Sequence, residues 1–289
     1  MGGDHTAVFT FLLHFLAGHI ILDLSGLWPT SSPETLVHTM KFELWSIWHI
    51  VYICSPFVIF SLIYGAVRHR SDKSKYLLGC ILGSISLLIL VLRNVDIFVR
   101  NGWDPEVIPL QVCHIGSIIA GLALIFRKNW LILTAFCFNL IPAFLAMVFA
   151  DALAGYDTLL KIRPQTYIWG HIFIIVCALY ALLIYRPVLN KRDLGKALGF
   201  VGLMACAAIF CNSLFRAAFA WEPNYFYLFD YTGTPLKFLY NAFPSSVYGW
   251  FQINWFYTGV LSAVFIGAFV GMYHLSKYLT GQKHAAARV

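Results

Sequence analysis

The feature that most constrains this chain is a succession of seven long apolar runs joined by shorter polar connections. Each run is long enough to cross about 30 Å of hydrocarbon as a helix, and none alternates polar and apolar residues as a membrane β-strand does. We therefore predict an all-α, polytopic transmembrane helical bundle, with six to seven core spans around a polar cavity open towards the external side. The runs cover residues 48–67, 76–99, 108–126, 130–150, 166–186, 196–220 and 247–275.

Composition and charge agree with this class of protein. Apolar residues make up 60% of the chain and charged residues 11%, whereas a soluble domain carries about 25% charged residues. The net charge of +7 would suit a nucleic-acid-binding protein, but the basic residues occupy short loops between apolar runs, as in membrane proteins. We therefore expect membrane lipids as partners, and no nucleic acid.

The distribution of Lys and Arg predicts an orientation. Thirteen of the 20 lie in the loops after the first, third and fifth runs and after the last run, whereas four lie in the opposite loops. Basic loops stay on the cytoplasmic side. We therefore expect a multi-pass protein of the cell membrane whose C-terminus is cytoplasmic.

The same pattern divides the chain into three regions. Residues 1–46 are predicted to be an N-terminal apolar or interfacial segment, 47–277 the transmembrane helical bundle, and 278–289 a cytoplasmic tail. Polar residues interrupt the apolar stretch 7–24 in the first region. This stretch is therefore an extra span, a re-entrant piece or an interfacial helix.

Small residues within the runs indicate helix packing. All seven cysteines lie in apolar runs and none forms a CxxC pair, so neither a disulfide framework nor a zinc site is predicted. We expect no metal and no cofactor. In the last run, Gly267-x-x-x-Gly271 matches a close-packing motif and favours packing against another helix of the bundle over dimerisation.

Polar side chains inside the runs gather towards the external end. Such groups are costly in hydrocarbon, so each indicates a function or a paired structural role. Arg93 and Asp96 are three residues apart, share a helix face and could pair with each other. The candidates to bind a lipid head group or to support chemistry are Arg93, Asp96, Gln111, His114, Asn212 and Arg216.

Cys113 and His171 fall at similar depths in two runs that both lead inwards. A thiol beside an imidazole is the minimum needed for a thiolate nucleophile, because the imidazole takes the proton and returns it to the leaving group. An acyl group could then be carried as a thioester, with Arg, Asn or Gln side chains stabilising the oxyanion. The alternative is that Cys113 packs between helices and His171 is a hydrogen-bonded core histidine.

Three segments resemble the YwaF-like family of bacterial integral membrane proteins. They are Pro109-Leu-Gln-Val-Cys-His-Ile-Gly-Ser117, His171 in its Trp-Gly-His context, and Asn224-Tyr-Phe-Tyr-Leu228. In order and spacing, the resemblance extends over roughly residues 45–275. It implies a helical bundle with a central polar cavity, and functional roles for Asn224 and Tyr225.

Animal relatives of that family include a transmembrane acyltransferase of ether phospholipid metabolism. That relative is understood to use a cysteine acyl-enzyme with a partner histidine, at a spacing that Cys113 and His171 match. The resemblance therefore implies that these two residues are catalytic. Other relatives with a similar architecture hydrolyse lipids with a threonine nucleophile, so hydrolysis and transfer both stay open.

Two further classes of function use the same polar groups. Buried Arg and Asp residues also mark substrate pathways in transporters and in lipid-binding membrane proteins. Ten histidines are enough for a haem or quinone site, although no pair at helical ligand spacing stands out. We therefore predict an intramembrane lipid acyltransferase or lipid hydrolase that uses a Cys–His pair, with a transporter or lipid-binding protein as the alternative.

Overall fold

The computed structural model describes residues 42–156, 158–231 and 236–282. Within these residues, seven segments are helical, long and apolar enough to cross a membrane. This confirms the prediction of an all-α, polytopic helical bundle. The long helices are α1 Ile47–Val67, α2 Asp72–Asn101, α3 Val112–Phe126, α4 Asn129–Val148, α5 Ile162–Leu183, α6 Lys191–Phe219 and α7 Trp255–Leu279.

The connections give the two ends of the bundle different chemistry. The basic end carries the connections 68–71, 127–128 and 184–190, which are rich in Arg and Lys. The polar end carries the connections 102–111, 149–161 and 220–254.

Several short elements lie at the polar end. There are two one-turn helices, Asp151–Ala154 and Lys237–Tyr240, and two 3-10 turns, Pro105–Val107 and Tyr225–Tyr227. Strands β1 Ser246–Tyr248 and β2 Phe251–Ile253 form an antiparallel hairpin.

The hairpin corrects the predicted last span, which was placed at 247–275. The chain turns at Gly249, whose φ of +63° suits glycine. Helix α7 then begins at Trp255, because the Asn254 side chain accepts a hydrogen bond from the backbone N–H of Tyr257 at 2.9 Å and so caps the first turn. The residues of the predicted span before Trp255 are as apolar as those of a membrane-spanning helix, but they are not helical.

Four helices make up the centre of the bundle. Helices α2, α3, α4 and α5 pack against one another, and the buried apolar side chains concentrate between them. Helices α2 and α3 approach most closely at Gly83 and Gly121, where a Cβ on Gly83 would lie 2.7 Å from the carbonyl oxygen of Gly121. Helices α3 and α4 are joined by the buried Asn139, whose amide donates to the carbonyl of Gly116 at 2.9 Å.

The remaining three helices flank this centre. Helix α1 packs against α5, while α6 and α7 pack against α4. Helix α7 turns Phe269 and Tyr273 towards the bundle, and both are buried. The prediction that Gly267 and Gly271 pack against a helix of the bundle is wrong for the described residues, because a Cβ at either position would meet no atom within 4 Å. These glycines lie on the opposite face of α7.

Two predictions fall on parts of the chain outside the described residues. The apolar stretch 7–24 is one of them, and the tail from residue 283 onwards is the other. The predicted placement of the N-terminal segment and of the tail relative to the membrane therefore remains a prediction from the sequence.

Candidate functional site

An ionic cluster at the polar end joins three separate parts of the chain. Arg93 near the end of α2 donates through Nη2 to Oε2 of Glu106 at 2.9 Å and through Nη1 to the Glu106 carbonyl at 3.0 Å. Arg163 in the first turn of α5 donates to the same carboxylate oxygen. One carboxylate therefore holds two guanidinium groups, and the cluster keeps a net positive charge.

Arg93 and Asp96 share a helix face but do not pair with each other. Asp96 accepts from Nε of Arg100 at 2.7 Å, one helical turn further along α2. Arg93 instead reaches out of its helix to the 3-10 turn that carries Glu106. Helical spacing indicated that the two residues share a face, but a better-placed partner lies on the neighbouring connection.

Cys113 is the second residue of α3, a helix that begins without a side-chain cap. The backbone N–H groups of Cys113 and His114 are oriented towards the sulfur, and Arg93 lies within electrostatic reach of it. The N-terminus of a helix carries partial positive charge and stabilises anions. Burial of the thiol opposes its ionisation, whereas the helix N-terminus and Arg93 favour it.

His171 lies in α5 and is buried, with 4% of its surface exposed. Its Nδ1 is 2.8 Å from the carbonyl oxygen of Tyr167. A carbonyl can only accept, so Nδ1 must carry the hydrogen and, in the neutral ring, Nε2 keeps its lone pair. The Tyr167 ring, centred 4.3 Å from the imidazole, also fixes the ring orientation.

The Arg93 guanidinium lies within electrostatic reach of both the Cys113 thiol and the His171 imidazole. His114 lies within electrostatic reach of His171 as well, and its buried Nδ1 has no hydrogen-bond partner among the described residues. Among the residues that the structure describes, no hydrogen bond joins the Cys113 sulfur to the His171 ring. The catalytic pair therefore stays a prediction.

The loop after α6 is fastened over this end by Asn212 and Tyr225. The fully buried Asn212 accepts from the Tyr225 N–H at 2.8 Å and donates to the Tyr225 carbonyl at 3.1 Å. The Tyr225 hydroxyl donates to the carbonyl of Pro105 at 2.6 Å. Asn224 closes the loop locally, because its Oδ1 accepts from the Phe229 N–H at 3.1 Å. In the structure, all three predicted site residues hold the loop in place.

Two residues of this loop adopt left-handed backbone conformations. Phe226 has a φ of +58° and packs on the Phe138 ring of α4, with 5.7 Å between the centroids. Tyr227 has a φ of +54°. Such strain in non-glycine residues occurs where the surroundings enforce it, and often at functional sites.

Tyr227 brings its phenol near the thiol. Burial raises the pKa of Tyr227, and the Cys113 thiol adds to the rise because it lies within electrostatic reach. Burial likewise raises the pKa of Tyr225. Both phenols therefore stay protonated at neutral pH and can donate hydrogen bonds.

The remaining candidates lie around this cluster. Arg216 places its guanidinium carbon 4.2 Å from the centre of the Phe229 ring, and its buried Nε has no partner among the described residues. Glu222 is only a distant partner for it, at 3.9 Å. Gln111 precedes α3, and its side chain makes no capping bond. In the described ranges, no three His, Cys, Asp or Glu side chains are grouped to hold a metal ion.

Sequence reasoning missed Glu106, Arg163 and Tyr227. Glu106 and Arg163 look like ordinary interfacial charges, and Tyr227 like one more aromatic in a loop. The one available signal was that Glu106 stands four residues before the run Leu110-Gln-Val-Cys113, on the same side of the membrane as Arg93.

Comparison with known proteins gives one match. The model of the TMEM164 family matches residues 38–273. No curated protein and no solved structure matches the chain. The match does not confirm the resemblance to the bacterial YwaF-like family.

Proposed function

The chain belongs to the TMEM164 family, and on that premise we propose that it is an intramembrane lipid acyltransferase or lipid hydrolase that works through an acyl-enzyme on Cys113. Membership of the family is compatible with a lipid-related membrane protein. The chemistry and the residues are our proposal. They rest on the surroundings of Cys113 and His171.

The observation that carries the proposal is the placing of Cys113 in the uncapped first turn of α3. Two backbone N–H groups and the Arg93 guanidinium favour negative charge on the sulfur and offset part of the cost of burying it. The imidazole of His171 is held with Nε2 as its basic nitrogen. Cys113 as the nucleophile and His171 as the base would thus act at one end of the same four-helix centre.

In the proposed reaction, His171 Nε2 takes the Cys113 proton and the thiolate attacks the carbonyl carbon of a lipid ester. A carbon–sulfur bond forms, the ester carbon–oxygen bond breaks, and the imidazolium gives its proton to the leaving alkoxide. A second alcohol then attacks the thioester and gives its proton to His171. A new carbon–oxygen bond forms, the carbon–sulfur bond breaks, and the imidazolium returns the proton to the Cys113 sulfur. Water in place of the alcohol makes the enzyme a hydrolase.

The residues around the thiol would assist in different ways. Arg93 and the first-turn N–H groups of α3 would stabilise the oxyanion. Gln111 and Arg216 would contact the lipid head group, with the Tyr227 phenol as a further donor. Asn212, Asn224 and Tyr225 would act through the loop that they hold, because their polar atoms are already engaged.

We also propose that the basic end faces the cytoplasm, as the charge distribution predicts. The C-terminus would then be cytoplasmic. The polar end, with Cys113, would face the opposite leaflet, and the substrate would reach the thiol from that leaflet by lateral diffusion.

The test is to trap the acyl-enzyme. The purified full-length chain is incubated with a phospholipid carrying a labelled acyl chain, and the protein-bound label is challenged with hydroxylamine, which cleaves thioesters. We expect a hydroxylamine-labile label on the natural chain and no label on Cys113→Ala. We expect at least about a hundredfold slower labelling for His171→Gln, because general-base catalysis contributes about 10²–10⁴-fold.

Cys211→Ala is the matched control, because Cys211 is also a half-buried thiol but lies in α6. It should label like the natural chain. Unchanged labelling of a folded Cys113→Ala variant would overturn the proposed function. Uptake of a solute into vesicles that survives loss of Cys113 would favour a transporter.

A further inference from the structure

A cavity region lies at the basic end, away from Cys113. It sits where α3 joins α4 and where α6 begins, and its larger cavity measures about 610 Å³. The residues that line this cavity are Arg127, Lys128, Asn129, Trp130, Asp193 and Lys196. Because Arg127 follows the last residue of α3 and Cys113 is near its first, the helix length separates this cavity from the polar end.

Two ammonium groups at the cavity are free to bind an anion. Lys128 and Lys196 are exposed and form no ion pair within the described residues. Asp193, the carboxylate of the lining, is engaged in a capping box, where it accepts from the Asn190 N–H at 3.2 Å. Because Arg127 is paired with Asp72, the two ammonium groups and the one carboxylate leave the mouth of the cavity with a net positive charge.

Arg127 is already paired and acts as a fixed wall. Its two Nη atoms donate to the two carboxylate oxygens of Asp72 at 2.8 and 2.9 Å. The Asp72 hydrogen bond raises the pKa of Arg127, and the guanidinium also stacks over the Tyr185 ring at 4.3 Å. The loop between α3 and α4 is thus held against the start of α2, and Lys128 is presented from a firm position.

The cavity continues into an apolar one. A neighbouring cavity of about 360 Å³ shares Trp130 and Lys196 with the first and adds Phe200. The Trp130 and Phe200 rings lie 5.6 Å apart between α4 and α6. Tryptophan is enriched where the membrane meets water. The apolar cavity therefore leads from the charged one towards the hydrocarbon.

The two cavities together match one amphipathic ligand. Phosphate suits the charged mouth, where two lysines meet the start of α4, a helix without a side-chain cap. An acyl chain suits the apolar continuation. A free inorganic anion would use only the mouth, whereas a phospholipid would use both parts.

We infer that this site binds the phosphate head group of an anionic phospholipid from the leaflet at the basic end, with Lys128 and Lys196 on the phosphate and Trp130 and Phe200 along an acyl chain. Basic pockets between membrane helices are a known way to hold such head groups. The site is independent of the proposed acyl transfer, since it lies at the other end of the bundle.

The test measures binding of fluorescent phosphatidic acid to the purified full-length chain in a non-ionic detergent. The double variant Lys128→Gln/Lys196→Gln should bind about tenfold or more weakly, because each basic residue near an anionic lipid contributes about 1 kcal/mol. The matched control is Lys191→Gln/Arg192→Gln, which removes the same charge from the same end but from residues outside the lining. It should change the dissociation constant by less than about twofold.

Two further measurements separate the possible sources of the anion. Trp130→Ala should weaken phosphatidic acid binding, and inorganic phosphate should compete only at far higher concentration than the unlabelled lipid. Equal losses in the two double variants would overturn the inference, since the effect would be general surface charge. Competition by inorganic phosphate as strong as that of the lipid would overturn it too, because the site would then hold a free anion.

Discussion

Glu106 is the shared acceptor of the charges at the polar end. Its carboxylate binds both Arg93 and Arg163, and the Arg93 side chain is only 17% exposed. Asp104 supports the turn, because its Oδ1 accepts from the Glu106 N–H at 2.8 Å. The position of Arg93 near the thiol therefore depends on a residue that does not itself approach the sulfur.

Replacing this carboxylate should destabilise the protein. We expect Glu106→Gln to lower the free energy of unfolding by about 1–3 kcal/mol, because two guanidinium groups lose a charged acceptor. The measurement is thermal unfolding of the purified protein in detergent. Glu222→Gln is the control, since Glu222 lies 3.9 Å from its nearest guanidinium and is 85% exposed. Equal effects of the two substitutions would contradict this role for Glu106.

Asn212 offers a second test, because both ends of its amide bind the Tyr225 backbone. We expect Asn212→Ala to destabilise the protein by about 2–3 kcal/mol, since two hydrogen bonds are lost and the buried N–H and carbonyl of Tyr225 are left unpaired. Asn212→Asp keeps the acceptor and should cost less. If thermal unfolding shows no difference between Asn212→Ala and the neighbouring Cys211→Ala, the amide does not fasten the loop.

At the crossing of α2 and α3, two facing glycines leave no space for a side chain. A Cβ on Gly121 would lie 2.9 Å from the Gly83 carbonyl oxygen, and one on Gly83 would lie 2.7 Å from the Gly121 carbonyl oxygen. Both obstacles are backbone atoms, which cannot move without moving a helix. This crossing sets the distance between the helices that carry Arg93 and Cys113.

Gly83→Ala should therefore separate the two helices and cost about 1–3 kcal/mol of stability. The matched control is Gly267→Ala on α7, where the added methyl meets nothing within 4 Å. That change should be neutral or stabilise the helix by up to about 1 kcal/mol, because Ala favours a helix more than Gly does. Thermal unfolding of both variants checks the pair. A Gly83→Ala protein as stable as Gly267→Ala would show that the crossing has room.

The helices could largely be read from the sequence, whereas the faces they turn to each other could not. An apolar run of sufficient length specifies a span by its own transfer energy, so all seven long helices fall on predicted runs. The start of α7 depended on the Gly249 turn and the Asn254 cap, which hydropathy does not register. Gly267 and Gly271 could pack closely by their size, but the buried Phe269 shows that α7 turns its other face inwards.

Part of the candidate site could also be predicted from the sequence, because its polar residues stand out within apolar spans. Arg93, Cys113 and His171 stand out because they interrupt apolar runs, and the structure brings them to one end of the bundle. Glu106 and Tyr227 lie in connections, where polar and aromatic residues are ordinary. Their roles arise from the folding back of those connections, which only the tertiary structure contains.

For the molecule as a whole, the orientation in the membrane can be tested at the C-terminus. The proposed orientation predicts that a phosphatase fused after Val289, which is active only outside the cytoplasm, will be inactive. A fluorescent protein that folds only in the cytoplasm should be bright at the same position. An active phosphatase with a dark fluorescent fusion would reverse the orientation, and with it the leaflets assigned to the two proposed sites.

The bond between the Tyr225 hydroxyl and the Pro105 carbonyl spans 120 residues of sequence, and this has a consequence for biosynthesis. At about 5–20 residues per second, roughly 6–24 s pass between synthesis of the two partners. During that interval Cys113 has been made, but the loop that closes over the polar end has not. The nascent thiol is therefore most open to oxidation until the loop after the sixth helix is made, and premature termination before that loop would leave a membrane-inserted but uncovered cysteine.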